Sequence, residues 1–108
     1  MHVVLLKTGD LRPYLRCQII SRATGQPVNV TGATVTFSMR VIGGTNVINE
    51  AAGAVEAGDD GIIRYAWQTS DTATAGTYQG EFLVDAGSGN KFSVPQDGYI
   101  SIVIREDL

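Results

Sequence analysis

Apolar and polar residues alternate one by one along two long stretches of this chain. Apolar side chains occupy every second position from Ala33 to Val41, with threonine, serine and arginine between them. The same period places Tyr78, Phe82 and Val84 on one side of a second stretch. A period of two residues is that of a β-strand with one face in a core and the other in water. No apolar pattern of helical period lasts long enough for a full helix, so the sequence predicts an all-β protein.

Short runs of Gly, Asp, Asn and Pro separate the alternating stretches and favour tight turns. The predicted strands cover residues 14–20, 33–42, 47–49, 54–56, 62–68, 77–84, 91–94 and a final segment from 100. Seven to nine short strands at this spacing are typical of an antiparallel β-sandwich. A length of 108 residues with 44% apolar content suits one domain, which we take to span residues 1–108.

The segment 70–75 is the one place where we expect a helical turn, with Ser70 or Asp71 capping it through backbone N–H groups. It leads into Gly76-Thr77-Tyr78, a sequence that fits a tyrosine corner. In such a corner a tyrosine hydroxyl bonds back to the preceding chain and fixes how a strand enters the sandwich. Tyr78 is therefore interpreted as structural and not as a binding aromatic.

The sequence offers no set of residues for catalysis, and we expect no enzyme and no cofactor. Cys17 is the single cysteine and His2 the single histidine, so a disulfide or a His/Cys metal site within the chain is excluded by number. A catalytic thiol would need His2, which lies next to the N-terminus. We interpret Cys17 as a small buried apolar residue.

Carboxylates and aromatic residues each allow a second interpretation. Glu56, Asp59 and Asp60 could ligate calcium, but Asp-Asp-Gly is also ordinary turn sequence and the ligand set is incomplete, so we favour a turn. Tyr65 and Trp67 would form a sugar-binding platform if they faced outward. Their alternation with polar residues favours the core.

Charge argues against two classes of partner. The net charge is −3, and the eight basic residues are scattered along the chain. Nucleic acids and anionic membranes are therefore not expected as partners. No apolar stretch is long enough for a signal peptide or a membrane span, so we expect synthesis and folding in a cytoplasm.

The N-terminal segment 1–10 has two interpretations that the sequence does not separate. It is apolar at Val3, Val4, Leu5 and Leu6. These four residues could form an arm that adds a strand to a partner protein, and they are our candidate partner contact. They could equally be the first strand of the sandwich itself.

Several segments, taken in order, resemble a known family. They are LRPYLRCQIISRATGQPVNVTGATVTFSMR, the residues from Gly61 to Trp67, those from Asp71 to Phe82, and PQDGYISI. Together they are similar to the immunoglobulin-like domain at the N-terminus of phage baseplate upper proteins and in related small phage virion proteins. The resemblance covers about residues 11–106 and implies an immunoglobulin-like sandwich without catalytic residues. It assigns a framework role to Phe37, Met39, Tyr65, Trp67, Tyr78 and Phe82.

The resemblance implies a structural protein of a tailed-phage virion, made in the host cytoplasm. Baseplate proteins continue beyond this domain, whereas this sequence ends at Leu108, and we therefore expect a module held by its own surface. Our first hypothesis is a capsid decoration or cement protein. Its partners would be the major capsid protein or other virion proteins, with self-association on the particle. The alternatives are a tail or baseplate component and, from a different class, an adhesin-like binder of host-surface glycans.

Overall fold

A computed structural model describes residues 3–12, 14–87, 89–95 and 98–106. Within these ranges the chain forms nine β-strands and no helix. The strands are β1 Val3–Lys7, β2 Leu15–Gln18, β3 Thr34–Val41, β4 Asn46–Ala52, β5 Ala54–Ala57, β6 Ile62–Tyr65, β7 Gly76–Asp85, β8 Lys91–Val94 and β9 Ile100–Arg105. His2, considered above as a partner for Cys17, lies outside the described residues. So do parts of two predicted turns, at Ser88 and at Gln96 and Asp97.

The strands form the two sheets of a sandwich, as predicted. The larger sheet has the order β1-β9-β7-β3-β4, and β8 pairs with β7 next to the end of β9. The smaller sheet has the order β2-β6-β5. Neighbouring strands are antiparallel except for β1 and β9, which run parallel from Val3 opposite Ser101 to Lys7 opposite Arg105. The all-β sandwich class predicted from the alternation is confirmed.

The chain crosses from the larger to the smaller sheet at Gly53, between β4 and β5. Its N–H donates to the carbonyl of Val35 at 2.8 Å. A Cβ at this position would lie 2.9 Å from the carbonyl oxygen of Arg64, a distance at which something must shift. The crossing therefore brings two backbones so close that only glycine fits.

Four aromatic rings form the centre of the core. The Phe37 ring lies 4.8 Å from Tyr65, 5.9 Å from Trp67 and 5.0 Å from Phe82, measured between ring centroids. Phe37 and Phe82 come from the larger sheet, and Tyr65 comes from the smaller one. Burial of each such side chain stabilises the fold by about 1.5–3 kcal/mol, so this cluster is the main packing contact between the two sheets. All six residues to which the resemblance gave a framework role are buried.

The strand predicted over 62–68 is three residues too long, because β6 ends at Tyr65. After it the chain turns, and the N–H of Asp71 donates to the carbonyl of Gln68 at 2.9 Å. Trp67 remains 3% exposed although it lies beyond the strand. The alternation thus predicted the burial of Trp67 but not the end of the strand.

The predicted tyrosine corner is present, but the predicted helical turn is not. The Tyr78 hydroxyl donates to the carbonyl of Thr74 at 2.7 Å. Residues 69–74 form turns and bends without a helix. The expectation that Asp71 caps a following helix was wrong, because its carboxylate bonds backwards to Gln68 and Tyr65.

Candidate interaction surface

The predicted contact segment is an edge strand of the larger sheet. Val3 is 56% exposed and Leu5 is 64% exposed, whereas Leu6 is 4% exposed and Val4 packs against the core. The segment was interpreted either as an arm or as the first strand of the sandwich, and in the structure it is the first strand. Only two of the four apolar side chains remain available to a partner.

The backbone of β1 also has one free side. The N–H of Thr8 donates to the carbonyl of Arg105 at 2.8 Å. Backbone groups alternate in direction along a strand, so the even-numbered residues of β1 face β9. The odd-numbered residues Val3, Leu5 and Lys7 direct their N–H and C=O groups away from the sheet.

Asp10 closes one end of this free edge. The N–H of Lys7 donates to Oδ2 of Asp10 at 3.0 Å, and the N–H of Asp10 donates to the carbonyl of Lys7 at 3.0 Å. The exposed edge is therefore limited to Val3 and Leu5. Blocking of an edge by a local turn is one way in which sheet proteins avoid uncontrolled pairing.

A groove runs between the two sheets beside β2, which is an edge of the smaller sheet. Its two adjoining parts have volumes of about 460 and 510 Å³ and share Gln18, Val94 and Pro95. We call it the β2 groove. Its apolar lining includes Val4, Cys17, Ile19, Val28, Phe92 and Val94. The groove was not predicted from the sequence, because the strands that form it are far apart in the chain.

Two arginines, Arg16 and Arg22, line the β2 groove, and its described lining contains no Asp or Glu. Arg16 forms an ion pair with Glu56, which also lies 3.7 Å from Arg64. Within the ranges that the structure describes, no ion pair involves Arg22, and its side chain is exposed. The groove is thus a basic, apolar region on a chain whose net charge is −3.

Cys17 lies on the wall of the groove with its thiol partly buried. Burial raises the pKa of this thiol from 9.0 to about 11. The thiol is therefore protonated at neutral pH, which makes it a weak nucleophile. This environment suits the small apolar role that the sequence suggested.

Two of the three carboxylates considered for calcium, those of Asp59 and Glu56, are engaged in hydrogen bonds or ion pairs. Oδ1 of Asp59 accepts from the side-chain amide of Asn29 at 3.2 Å and from the Thr31 hydroxyl at 3.4 Å. Glu56 pairs with the two arginines named above. Among the described residues, no group of three or more His, Cys, Asp and Glu is arranged to hold a metal ion.

The outer face of the larger sheet carries a polar hollow of about 100 Å³. There the Arg40 guanidinium lies 5.0 Å from the Tyr99 ring centre, and its Nε donates to Oε1 of Gln79 at 3.1 Å. Tyr99 is 42% exposed, whereas Tyr65 and Trp67, the aromatic pair considered for sugar binding, are buried. Tyr99 was not among the residues predicted from the sequence, although an aromatic residue directly after the Pro-Gln-Asp-Gly turn was a signal for it.

A second exposed apolar surface lies at the tip of the β3–β4 hairpin. Val41, Ile42 and Val47 are each more than 40% exposed. The alternation from Ala33 to Val41 placed Val41 on the core face, and this prediction was wrong because β3 ends there at an exposed hairpin tip; Ile42 and Val47 were assigned only to strands. The signal was the apolar pair Val41-Ile42 directly before Gly43-Gly44, where a turn must face solvent.

Comparison with known proteins gives a fold and no family. No protein-family model matches the chain, and no curated protein matches it significantly. Among solved structures, it is similar to the N-terminal domain of phage TP901-1 ORF48, with a TM-score of 0.62 and 16% sequence identity. The similarity covers 95% of this chain and 84% of that one.

The part of the chain that the structure describes contains no helix able to cross a membrane.

Proposed function

We propose that this chain is a non-enzymatic structural domain of a tailed-phage particle, located in the tail or baseplate. The observation that carries the proposal is the shared fold over 95% of the chain with the N-terminal domain of a phage protein. The sequence resemblance to the N-terminal domain of phage baseplate upper proteins points independently in the same direction. Because a fold alone does not fix a function, these two observations support the proposal only together.

Capsid decoration, the first hypothesis from the sequence, is the alternative location. The fold suits either place, since both need a small rigid domain repeated on a symmetric assembly. The tail or baseplate is preferred because the resemblance is to baseplate proteins.

The β1 edge is the contact that we assign to the particle. Val3 and Leu5 present exposed apolar side chains, and their backbone groups point to the free edge; Val3 also lines the β2 groove. A strand of the particle could pair there over a short length, and Asp10 would set its limit. Many identical copies of a weak contact of this kind can hold a domain firmly on a symmetric assembly.

Copy number in purified particles tests the proposed location. The protein would be quantified by mass spectrometry against the major capsid protein of the same particles. A tail or baseplate component is expected at about six to a few dozen copies per particle. Copies on the order of hundreds would move the protein to the capsid, and its absence from particles would refute a virion role altogether.

The contact is tested with substitutions that leave the core intact. In the variant Leu5→Thr the more exposed of the two side chains becomes more polar, and threonine keeps a high strand propensity; Val3 is left unchanged because it also lines the β2 groove. We expect this variant to rebind particles that lack the protein at least about tenfold more weakly than the wild type. The control is Ile42→Thr at the hairpin tip, which is expected to rebind normally. Equal rebinding of both variants would exclude β1 as the contact.

A further inference from the structure

The smaller sheet has an empty position beside β2. Immunoglobulin-like sandwiches pair strands A, B, E and D in one sheet and C, F and G in the other. By chain order and pairing, β2, β6 and β5 correspond to B, E and D, and β3, β7 and β9 to C, F and G. β1, the strand that precedes B, pairs with β9 in the opposite sheet. The place that strand A would occupy next to β2 is the β2 groove.

The backbone of β2 is ready to form hydrogen bonds at this empty position. The N–H of Ile19 donates to the carbonyl of Gly61 at 2.8 Å, which extends the β2–β6 ladder. Odd-numbered residues therefore face β6, and Arg16 and Gln18 direct their N–H and C=O groups into the groove. No backbone bond from these two residues to another strand is found among the described residues. Arg16 and Gln18 are two residues apart, which is the spacing at which an added strand forms backbone hydrogen bonds with an edge.

The shape and chemistry of the groove indicate what such a strand would carry. Its floor includes Val4 and Val94 of the larger sheet and Pro95 directly after β8, on which every second side chain of an added strand would rest. Those inward positions should be apolar.

Charge then selects the remaining positions of the strand. Arg22 lines the groove and has no ion pair among the described residues, on a chain that is acidic overall, whereas Arg16 is already paired with Glu56. A carboxylate on the added strand would complement Arg22, because opposite charges across an interface favour association and suppress wrong partners.

We propose that the β2 groove binds an extended segment of another protein, with alternating apolar and acidic residues, as a fourth strand of the smaller sheet. A second copy of this domain is the less suitable occupant. Of its edge strands, β1 (VVLLK) carries a lysine instead of a carboxylate, β4 is interrupted at Glu50, whose φ is 50°, and the carboxylate of β5, Glu56, is already paired with Arg16. The groove would accept such a segment whether or not the domain belongs to a phage tail.

The first experiment selects binders without assuming a partner. A library of random peptides about ten residues long, twice a typical strand, would be displayed and selected on the purified domain. We expect the enriched peptides to alternate apolar residues with Asp or Glu. No enrichment, or enriched peptides without carboxylates, would overturn the proposal.

The backbone contact is tested by a matched pair of variants at Gln18. Gln18→Pro removes the N–H that faces the groove but no bond of the β2–β6 ladder. Gln18→Ala keeps that N–H, and both variants lose the side-chain bond from Gln18 Nε2 to the carbonyl of Asp60. We expect the best selected peptide to bind Gln18→Pro at least about tenfold more weakly than it binds Gln18→Ala. Equal binding to the two variants would show that no strand is added at β2.

Amide hydrogen exchange of the wild type keeps the test decisive if the proline variant is poorly folded. Binding of the selected peptide should slow exchange at Arg16 and Gln18 and leave Cys17, whose N–H faces β6, unchanged. Protection elsewhere on the domain and none at these two amides would overturn the proposal.

The charge contribution is tested by Arg22→Glu, with Arg105→Glu as a control of the same charge change outside the groove. We expect affinity for the selected peptide to fall about tenfold in the first variant and to stay unchanged in the second. Equal effects would mean that only net charge matters, which contradicts a site at the groove.

Two further results would separate this proposal from its alternatives. Self-association of the wild type in light scattering that Gln18→Pro abolishes would make a second copy the occupant and overturn the acidic partner. Absence of the protein from phage particles would refute the proposed function but leave peptide binding intact.

Discussion

The Tyr65 hydroxyl donates to Oδ2 of Asp71 at 2.5 Å, and the same oxygen accepts the N–H of Gln68 at 2.7 Å. One carboxylate thereby joins the end of β6 to the turn that leads into β7. Because Tyr65 also stacks on Phe37, this bond connects the aromatic core to the crossover between the sheets. It also makes stability depend on pH in the alkaline range.

Stability should fall at alkaline pH through Tyr65. Burial raises its pKa well above the ordinary value of 10.0, and the hydrogen bond to Asp71 and the charge of that carboxylate raise it further. The folded state therefore holds the proton more tightly than the unfolded state. This contribution is complete below pH 10.0 and is lost as the pH rises above it. Urea unfolding from about pH 8 to about pH 11 should show a steeper loss of unfolding free energy for the wild type than for Tyr65→Phe. Parallel curves for the two proteins would contradict this assignment.

Cys17 should resist alkylation in the folded protein. Its thiol is partly buried, and burial raises its pKa from 9.0 to about 11. Reaction with iodoacetamide near pH 8 is expected to be at least about tenfold slower in the native protein than in urea, because the thiolate is the reacting species. The same shift predicts a loss of stability between pH 9.0 and about 11 that Cys17→Ala does not show. Equal alkylation rates in the native and unfolded protein would contradict the burial of the thiol.

Gly80 should not tolerate a methyl group. A Cβ there would lie 2.7 Å from Cζ of Phe37 and 2.8 Å from Cδ1 of Ile102. Gly80→Ala is expected to lower the unfolding free energy by about 1–3 kcal/mol through overpacking, measured by urea unfolding. The cost should shrink in a Phe37→Leu background, where the ring is absent. An equal cost in both backgrounds would assign the effect to Ile102 or to the backbone instead.

Leu5 and Leu6, neighbours in β1, should differ sharply in their contribution to stability. Leu6 is 4% exposed and Leu5 is 64% exposed. Leu6→Ala should cost about 2–5 kcal/mol of unfolding free energy, and Leu5→Ala less than about 0.5 kcal/mol. Thermal unfolding of the two variants measures the difference. Similar midpoints would mean that β1 does not hold this register against β9.

Glycine should stabilise position 50. Glu50 has a φ of 50°, which places a residue with a side chain in the left-handed region within the irregular part of β4. Glu50→Gly is expected to raise the unfolding free energy by about 0.5–1 kcal/mol, because glycine adopts this conformation without strain. Asn49→Gly is the control, and it should lower stability by about 0.5–1 kcal/mol. A loss in both variants would argue against strain at Glu50.

Local residue patterns in the sequence predicted most of the elements and the side of each strand that faces the core. The period of two at β3 and β7 placed Phe37, Tyr78 and Phe82 correctly, because alternation along a strand is a local property. Gly76-Thr77-Tyr78 likewise predicted the bond from Tyr78 to Thr74, which spans only four residues.

The tertiary structure alone decided which strands are neighbours and which edges stay open. The four apolar residues from Val3 to Leu6 fitted an arm and a strand equally well, and pairing with β9, about a hundred residues away, chose the strand. That choice also left β2 without a neighbour on the side away from β6, where the β2 groove lies. Which strands pair with one another depends on long-range packing that no short segment of the sequence records. The sequence by itself therefore determined a β-sandwich with a defined core, and only the assembled sheets determined which strand edges and grooves remain open.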